Sequence, residues 1–323
     1  MMEWLHQAQY SLVIFTLFTQ ASVGAFWVLL VSDFLKRKAP DAVQDAFTRI
    51  GTYILVPLTA VGLTFSTTHL GRPQYAWRAL RHIDSSWLSR EIWGFSLFFG
   101  LVALYTFLWW KRVKDAEMRR HIGVVTGLVG VLAVSAQTMV YMVPGRPAWN
   151  HVSTFLLFGG AVLILGPLAV AAVYSFVWGR FIDLQEGEAT VRSSHRRLGI
   201  TLLSGAVVAA GGLVWRMSYL GAGAAAAAAD TKVLGKASVG KATVQTAVAM
   251  GEQITRQYGL MLNLEIALAI GVPVLLAAGL WLLHRKGASL KLCNALIAAG
   301  LGLVAVGELA GRALFYLSGR PWF

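Results

Sequence analysis

The 323-residue chain is 57% hydrophobic and only 13% charged, with a mean hydropathy of +0.62, a balance that excludes an ordinary soluble domain and makes lipid the solvent for most of its surface. Its formal charge of +13 does not indicate nucleic acid, because no basic run exceeds three residues and the positives sit between apolar segments, as membrane-flanking charges do. The single cysteine, Cys293, leaves no disulfide, cysteine zinc site, cysteine-ligated iron–sulfur cluster or covalently attached c-type haem open to this protein.

Crossing a ~30 Å hydrocarbon core takes about 20 helical residues, and apolar stretches of that length recur along the sequence. The first covers 11 to 34 and is followed by Lys36, Arg37 and Lys38; with no basic region before it and no small-residue cleavage site, it reads as an uncleaved helix. Further spans are predicted at 47 to 70, 91 to 110, 121 to 143, 152 to 178, 197 to 220, 258 to 283 and 290 to 317. Helix is the expected element throughout, because lipid offers unpaired backbone groups no partner and barrel strands would alternate polar with apolar residues. The expectation is one all-α transmembrane domain over 1–323, a bundle of about eight helices.

The odd-numbered connections hold Lys36 to Lys38, the Lys111 to Arg120 cluster, Arg192 to Arg197, and Arg285 with Lys286, so they are expected on the cytoplasmic side and both termini outside. The sixth connection, 221 to 257, is the one long outer loop; its Ala-rich, Lys-dotted sequence suits either a helix lying along the surface or a solvated spacer.

Polar residues inside the spans mark where function is expected, since lipid burial is costly unless they are paired or line a cavity. At ~1.5 Å rise per residue, Glu265 and Glu308 lie about 10 Å below the outer boundary, Arg216 and Arg312 about 5 Å, and Gln20 and Gln137 about 10 to 15 Å. All six fall in the outer half. Glu308 and Arg312 are four apart on one helix and can form a structural ion pair.

The second span ends in Thr67, Thr68, His69, Leu70, Gly71, Arg72, Pro73, and the third begins on the same side with Ser89, Arg90, Glu91. Oxidising a quinol removes two protons with two electrons, and a neutral imidazole is a suitable first acceptor, with a carboxylate to relay the proton onward. The competing readings are an interfacial His69 and a Glu91 that only favours the positive end of its helix dipole. The fourth span ends at Tyr141, Met142, Val143, Pro144, Gly145, Arg146, Pro147, Ala148, Trp149, where the aromatics could hold a flat ring or sit in the aromatic belt. The seven histidines lie in loops or at helix ends, which suits no bis-histidine haem.

Taken together, the segments resemble the membrane-anchor subunits of dimethyl sulfoxide reductase type molybdoenzymes, the DmsC family. The resemblance rests on Ile14, Phe15, Thr16 with Gln20, Gly24 and Phe26; on His69, Leu70, Gly71 with Pro73; and on Leu88, Ser89, Glu91, Ile92 with Phe98 and Phe99. It continues in Tyr141 with Pro147 and Trp149, in Gly166, Pro167, Leu168, in Tyr258, Gly259, and in Gly307, Glu308, Leu309, Gly311, Arg312 with Phe315, Tyr316. It implies an eight-helix, multi-pass anchor in the cytoplasmic (inner) membrane of a prokaryote, holding a molybdopterin catalytic subunit and an iron–sulfur electron-transfer subunit. It also implies menaquinol oxidation in anaerobic respiration, with the catalytic roles falling on His69 and Glu91. Gln20, Gly71, Arg72, Tyr141, Arg146 and Trp149 are then the expected quinol-binding residues, with menaquinol the bound substrate and no haem, iron–sulfur cluster or metal held by this protein. The sequence departs from the family pattern in the long Ala-rich loop and in Arg72, Gln74, Tyr75 after the His-Leu-Gly motif. The alternative of a different class is a small-solute or ion transporter using the Glu265, Glu308, Arg216, Arg312 layer.

Overall fold

A computed structural model describes residues 9–35, 42–68, 73–113, 115–143, 146, 148–177, 188–220 and 251–318. These form eight long helices, with no strand among the described residues. They are α1 (Tyr10–Leu35), α2 (Ala42–Thr68), α3 (Trp87–Trp110), α4 (Ala116–Tyr141), α5 (Ser153–Val177), α6 (Glu188–Ser218), α7 (Gly259–Arg285) and α8 (Leu290–Ser318). All eight are long and apolar enough to cross a membrane, and each overlaps one of the eight predicted spans.

Helix α1 is the hub of the bundle, packing on α2, α4, α5 and α8 with most of its length buried. It carries Thr16, Thr19 and Ser22, yet each hydroxyl donates to a carbonyl of its own helix three or four residues back. Back-bonding of this kind lets a polar side chain sit in an apolar bundle without an orphaned group. The α1–α5 contact is so close that a Cβ on Gly24 would run into the backbone of Val162, and one on Gly166 into the backbone of Gly24 and Ala25. Small residues at such a crossing let backbones approach, which is how helices associate where lipid removes the hydrophobic driving force.

Consecutive helices run antiparallel, so the starts of α1, α3, α5 and α7 share one end of the bundle with the ends of α2, α4, α6 and α8. The described residues begin and finish there, and Tyr316 Oη reaches the Leu12 carbonyl at 3.4 Å.

Four features depart from the expected segmentation. The connection after α2 contains a 3-10 segment, Pro73–Arg81, whose carbonyls are held by α3: Ser89 bonds Ala79 and Trp93 Nε1 bonds Leu80. Helix α6 starts at Glu188, about nine residues before the predicted span, because hydropathy locates the lipid crossing while the helix runs on past it, tied by Arg192 to Glu188 at i,i+4. Within α7, residues Glu265–Gly271 form a π-helical stretch. Residues 251–256 of the long connection are helical, and the rest of its 221 to 257 range, through 250, lies outside the described residues.

Candidate functional site

Glu91 stands in the second turn of α3, whose start is fixed by Ser86 accepting from the Ser89 N–H. Its side chain is buried at 4% exposure, facing inward rather than into the aqueous rim where a carboxylate would simply complement the helix dipole. The Gln137 side chain lies beside its carboxyl group, and Oε1 has no partner among the described residues. Tyr141 and Tyr316 lie near enough to feel its charge.

Gln137 begins a series of hydrogen bonds that crosses the bundle. Its Oε1 accepts from Gln20 Nε2 at 2.9 Å, and its Nε2 donates to Thr19 Oγ1 at 3.2 Å. Gln20 Oε1 in turn accepts from Arg312 Nη2 at 2.7 Å. All of these side chains are buried. The shared depth of Gln20 and Gln137, read from the sequence, is thus realised as a direct bond between α1 and α4.

Arg312 belongs to a layer with Glu308, Glu265 and Arg216, which surrounds a cavity of about 20 Å³ together with Phe315, room for about one water. The expected ion pair between Glu308 and Arg312 is not formed: no contact within 4.0 Å joins them among the described residues. Position i,i+4 brings two side chains alongside but does not choose their partners, and Arg312 instead points across to Gln20 and lies over the Phe158 ring at 4.1 Å. Arg216 donates to Ser318 Oγ at 2.5 Å. Arg216 Nε and Glu265 Oε2 have no partner among the described residues, and a Cβ on Gly311 would collide with the Glu265 side chain. The π-helical turn carries Glu265 into this layer.

Tyr141 and Trp149 come together, though as packed walls. Tyr141 Oη pairs with Tyr316 Oη at 2.7 Å, Trp149 Nε1 donates to the Phe315 carbonyl at 2.6 Å, and the Trp149 and Phe315 rings stack at 5.4 Å. Arg146 caps the cluster, its guanidinium 4.4 Å above the Trp149 ring. Phe158, Phe315 and Tyr316 complete it; the sequence does not reveal their part in it, because single aromatics in apolar helices carry no spacing signal. His151, stacked on Tyr219 at 4.4 Å and bonded through Nδ1 to Ser153, is a neighbour that no motif singles out. Burial, then the nearby Arg216 charge, holds its pKa below the ordinary 6.5. His69, Gly71 and Arg72 lie outside the described residues; α2 finishes at Thr68, at this end of the bundle.

At the opposite end, His195, His284 and Cys293 place potential ligand atoms within 4.8 Å of one another. His195 is buried within α6, a correction to the expectation that the histidines lie in loops or at helix ends. Arg192 can only donate, and its Nη1 lies 2.8 Å from His284 Nδ1, so His284 carries its proton on Nε2 and directs it at His195 Nδ1, 3.1 Å away. The two rings form a hydrogen-bonded pair whose facing nitrogens are already engaged with each other rather than free for a metal.

A bundle of eight apolar helices, with a polar hydrogen-bond series threading one end and an aromatic cluster beside it, defines a multi-pass integral membrane protein. The family model described as DMSO reductase anchor subunit (DmsC) matches residues 2–317, and the protein belongs to that family. It is similar to the anaerobic dimethyl sulfoxide reductase component YnfH of Escherichia coli, 34% identical over 169 residues covering 51% of this sequence and 57% of YnfH. It is also similar to the C component of the anaerobic dimethyl sulfoxide reductase of Escherichia coli, 26% identical over 314 residues covering 95% of this sequence and 94% of that one. The C component of the sulfite dehydrogenase of Allochromatium vinosum is 29% identical over 186 residues, 53% of this sequence and 56% of that component. The match thus spans a little over half the length of YnfH and nearly the whole length of the Escherichia coli reductase C component.

Proposed function

We propose that the protein anchors a molybdoenzyme reductase in the membrane and oxidises menaquinol at the end of the bundle that holds Glu91, Gln137 and Tyr141. The observation that carries this reading is Glu91: a carboxyl group buried among helices, with Gln137 on one side and an oxygen left without a partner among the described residues. A buried ionisable group in a membrane bundle is costly and marks a functional site by default, and an open acceptor oxygen is what a hydroxyl-bearing ligand would complete.

Quinol loses two protons and two electrons to become quinone. His69 takes the two ring-hydroxyl protons one after the other, Glu91 relays each toward water before the next transfer, and Gln20, Gly71, Arg72, Arg146, Tyr141 and Trp149 form the surroundings. Tyr141 and Trp149 act as rigid walls, because their polar atoms are committed to Tyr316 and Phe315. The electrons leave one at a time to an iron–sulfur partner subunit, and from there reach a molybdopterin subunit. Tunnelling weakens steeply with distance, so the partner docks at this end, beside the 3-10 segment with its exposed Tyr75 and Trp77. By the distribution of Lys and Arg this is the outer side of a prokaryotic inner membrane. Family membership supports the anchor role over a transporter. The Glu265, Glu308, Arg216, Arg312 layer sits toward this same end, whereas a transport site needs access from both faces.

The test is to install His69→Ala and Glu91→Gln separately and measure menaquinol-driven reduction beside reduction from an artificial donor to the soluble subunits. Both variants are expected to assemble, to lose quinol-driven turnover and to keep the artificial-donor rate. Unchanged quinol oxidation in both removes the assignment.

A further inference from the structure

A cavity opens at the opposite end from Glu91, between α1, α2, α5 and α6. Its volume is about 480 Å³, within the ~300–1,000 Å³ typical of small-ligand pockets. Val28, Val31, Leu163, Pro167 and Val170 make most of the wall. Trp27, Phe47 and Tyr174 add flat aromatic surface, the last two with ring centroids 4.5 Å apart.

Its polar groups gather at one place and are held there. Glu188 accepts from Arg192 at 2.6 Å, Arg192 meets His284 Nδ1 at 2.8 Å, and His284 Nε2 faces His195 Nδ1 at 3.1 Å. With its Nδ1 accepting, buried His195 has an Nε2 proton to give, and Asn294 lies beside it. Both residues line the cavity. The Asn294 side chain brings two amide N–H donors to this end of the cavity. Two further cavity-lining residues bring buried donor atoms without partners among the described residues, Trp27 Nε1 and Tyr174 Oη.

We propose that this cavity is a second ligand site, taking a neutral amphiphile of the quinone class: a flat apolar ring with carbonyl oxygens and an apolar tail. Neutral donors and aromatic walls fit a carbonyl-bearing ring. The donors in the buried part of the cavity are neutral, since Arg192 is committed to Glu188 and His284 and Arg197 lies exposed at its edge. The polar end of this cavity is separate from the site near Glu91, because His195 and Arg216 are 21 residues apart on α6, ~30 Å at 1.5 Å per residue, while its apolar wall runs inward as far as Gly24. It therefore does not depend on the quinol-oxidation reading.

The experiment uses the assembled complex in lipid, labelled with a photoreactive azido-naphthoquinone and mapped by peptide mass spectrometry. Label is expected on peptides containing residues 162–175 and 191–201. It should persist in Glu91→Gln and be competed by excess menadione. Asn294→Leu should weaken this labelling about three- to tenfold, the worth of one neutral hydrogen bond, and Ala171→Phe, which fills the cavity, should weaken it further. Label confined to peptides around Glu91 overturns the proposal, as does competition by cardiolipin but not by menadione. Because the wild-type labelling pattern is itself decisive, a variant that fails to assemble leaves the result intact.

Discussion

Replacing Arg312 by methionine tests whether the polar layer and the glutamine pair hold the bundle together. In the native protein its Nη2 donates to Gln20 at 2.7 Å and its guanidinium covers Phe158 at 4.1 Å. Glu308 and Glu265 share the same small cavity. A hydrogen bond to a charged group contributes about 1.5–3 kcal/mol, and a desolvated cation–π contact about 2 kcal/mol. Removing one side of a buried charge arrangement costs about 3–5 kcal/mol, because the opposite charges are left uncompensated. These figures overlap rather than add, so Arg312→Met is expected to cost about 3–5 kcal/mol, the figure for an uncompensated buried charge. The assay is denaturant unfolding of the purified anchor in micelles, together with the amount of anchor recovered in membranes. Arg312→Lys should recover only part of the loss, since an ammonium cannot reproduce the planar fork. Arg312→Met combined with Glu308→Leu should be milder than Arg312→Met alone. A loss under about 1 kcal/mol, less than one hydrogen bond to a charged group, refutes the reasoning. Normal stability with lost quinol turnover would move Arg312 into the quinol site.

Gln137→Leu should orphan Gln20 Nε2 and remove the bond to Thr19 and destabilise by about 1–3 kcal/mol, as interhelical hydrogen bonds in lipid are individually modest; coincident unfolding curves for variant and native anchor would refute this. Gly166→Leu, placed where a Cβ already meets the backbone of Gly24 and Ala25, should prevent α1 and α5 from closing and remove the anchor from the membrane fraction, whereas Gly159→Leu, where a Cβ meets nothing within 4 Å, should be tolerated. For His151, whose folded pKa lies below 6.5 through burial and then Arg216, the folded state binds the proton less readily than the unfolded one. Its contribution is therefore present above pH 6.5 and is lost as the pH falls from there through the folded value; His151→Asn should flatten that part of the stability–pH profile, and an unchanged acid limb refutes the assignment.

The eight helices were legible in the sequence because a lipid core imposes one demand everywhere, about 20 apolar residues per crossing with every backbone group paired internally. The polar residues of the candidate site were legible for the same reason, since Gln20, Glu91, Gln137, Glu308 and Arg312 stand out against apolar surroundings. Which of them meet was a tertiary decision. Spacing paired Arg312 with Glu308, but a guanidinium on a long stem takes the acceptor that packing presents, and α1 presents Gln20. Hydropathy also marked only the lipid crossing of α6, so His195, two residues outside it, has the sequence signature of a loop residue although the fold buries it against His284. The cavity it faces has no sequence signature at all, because its walls are the same valines, leucines and aromatics that fill the core, and only the distances between four helices separate a packed seam from an open one.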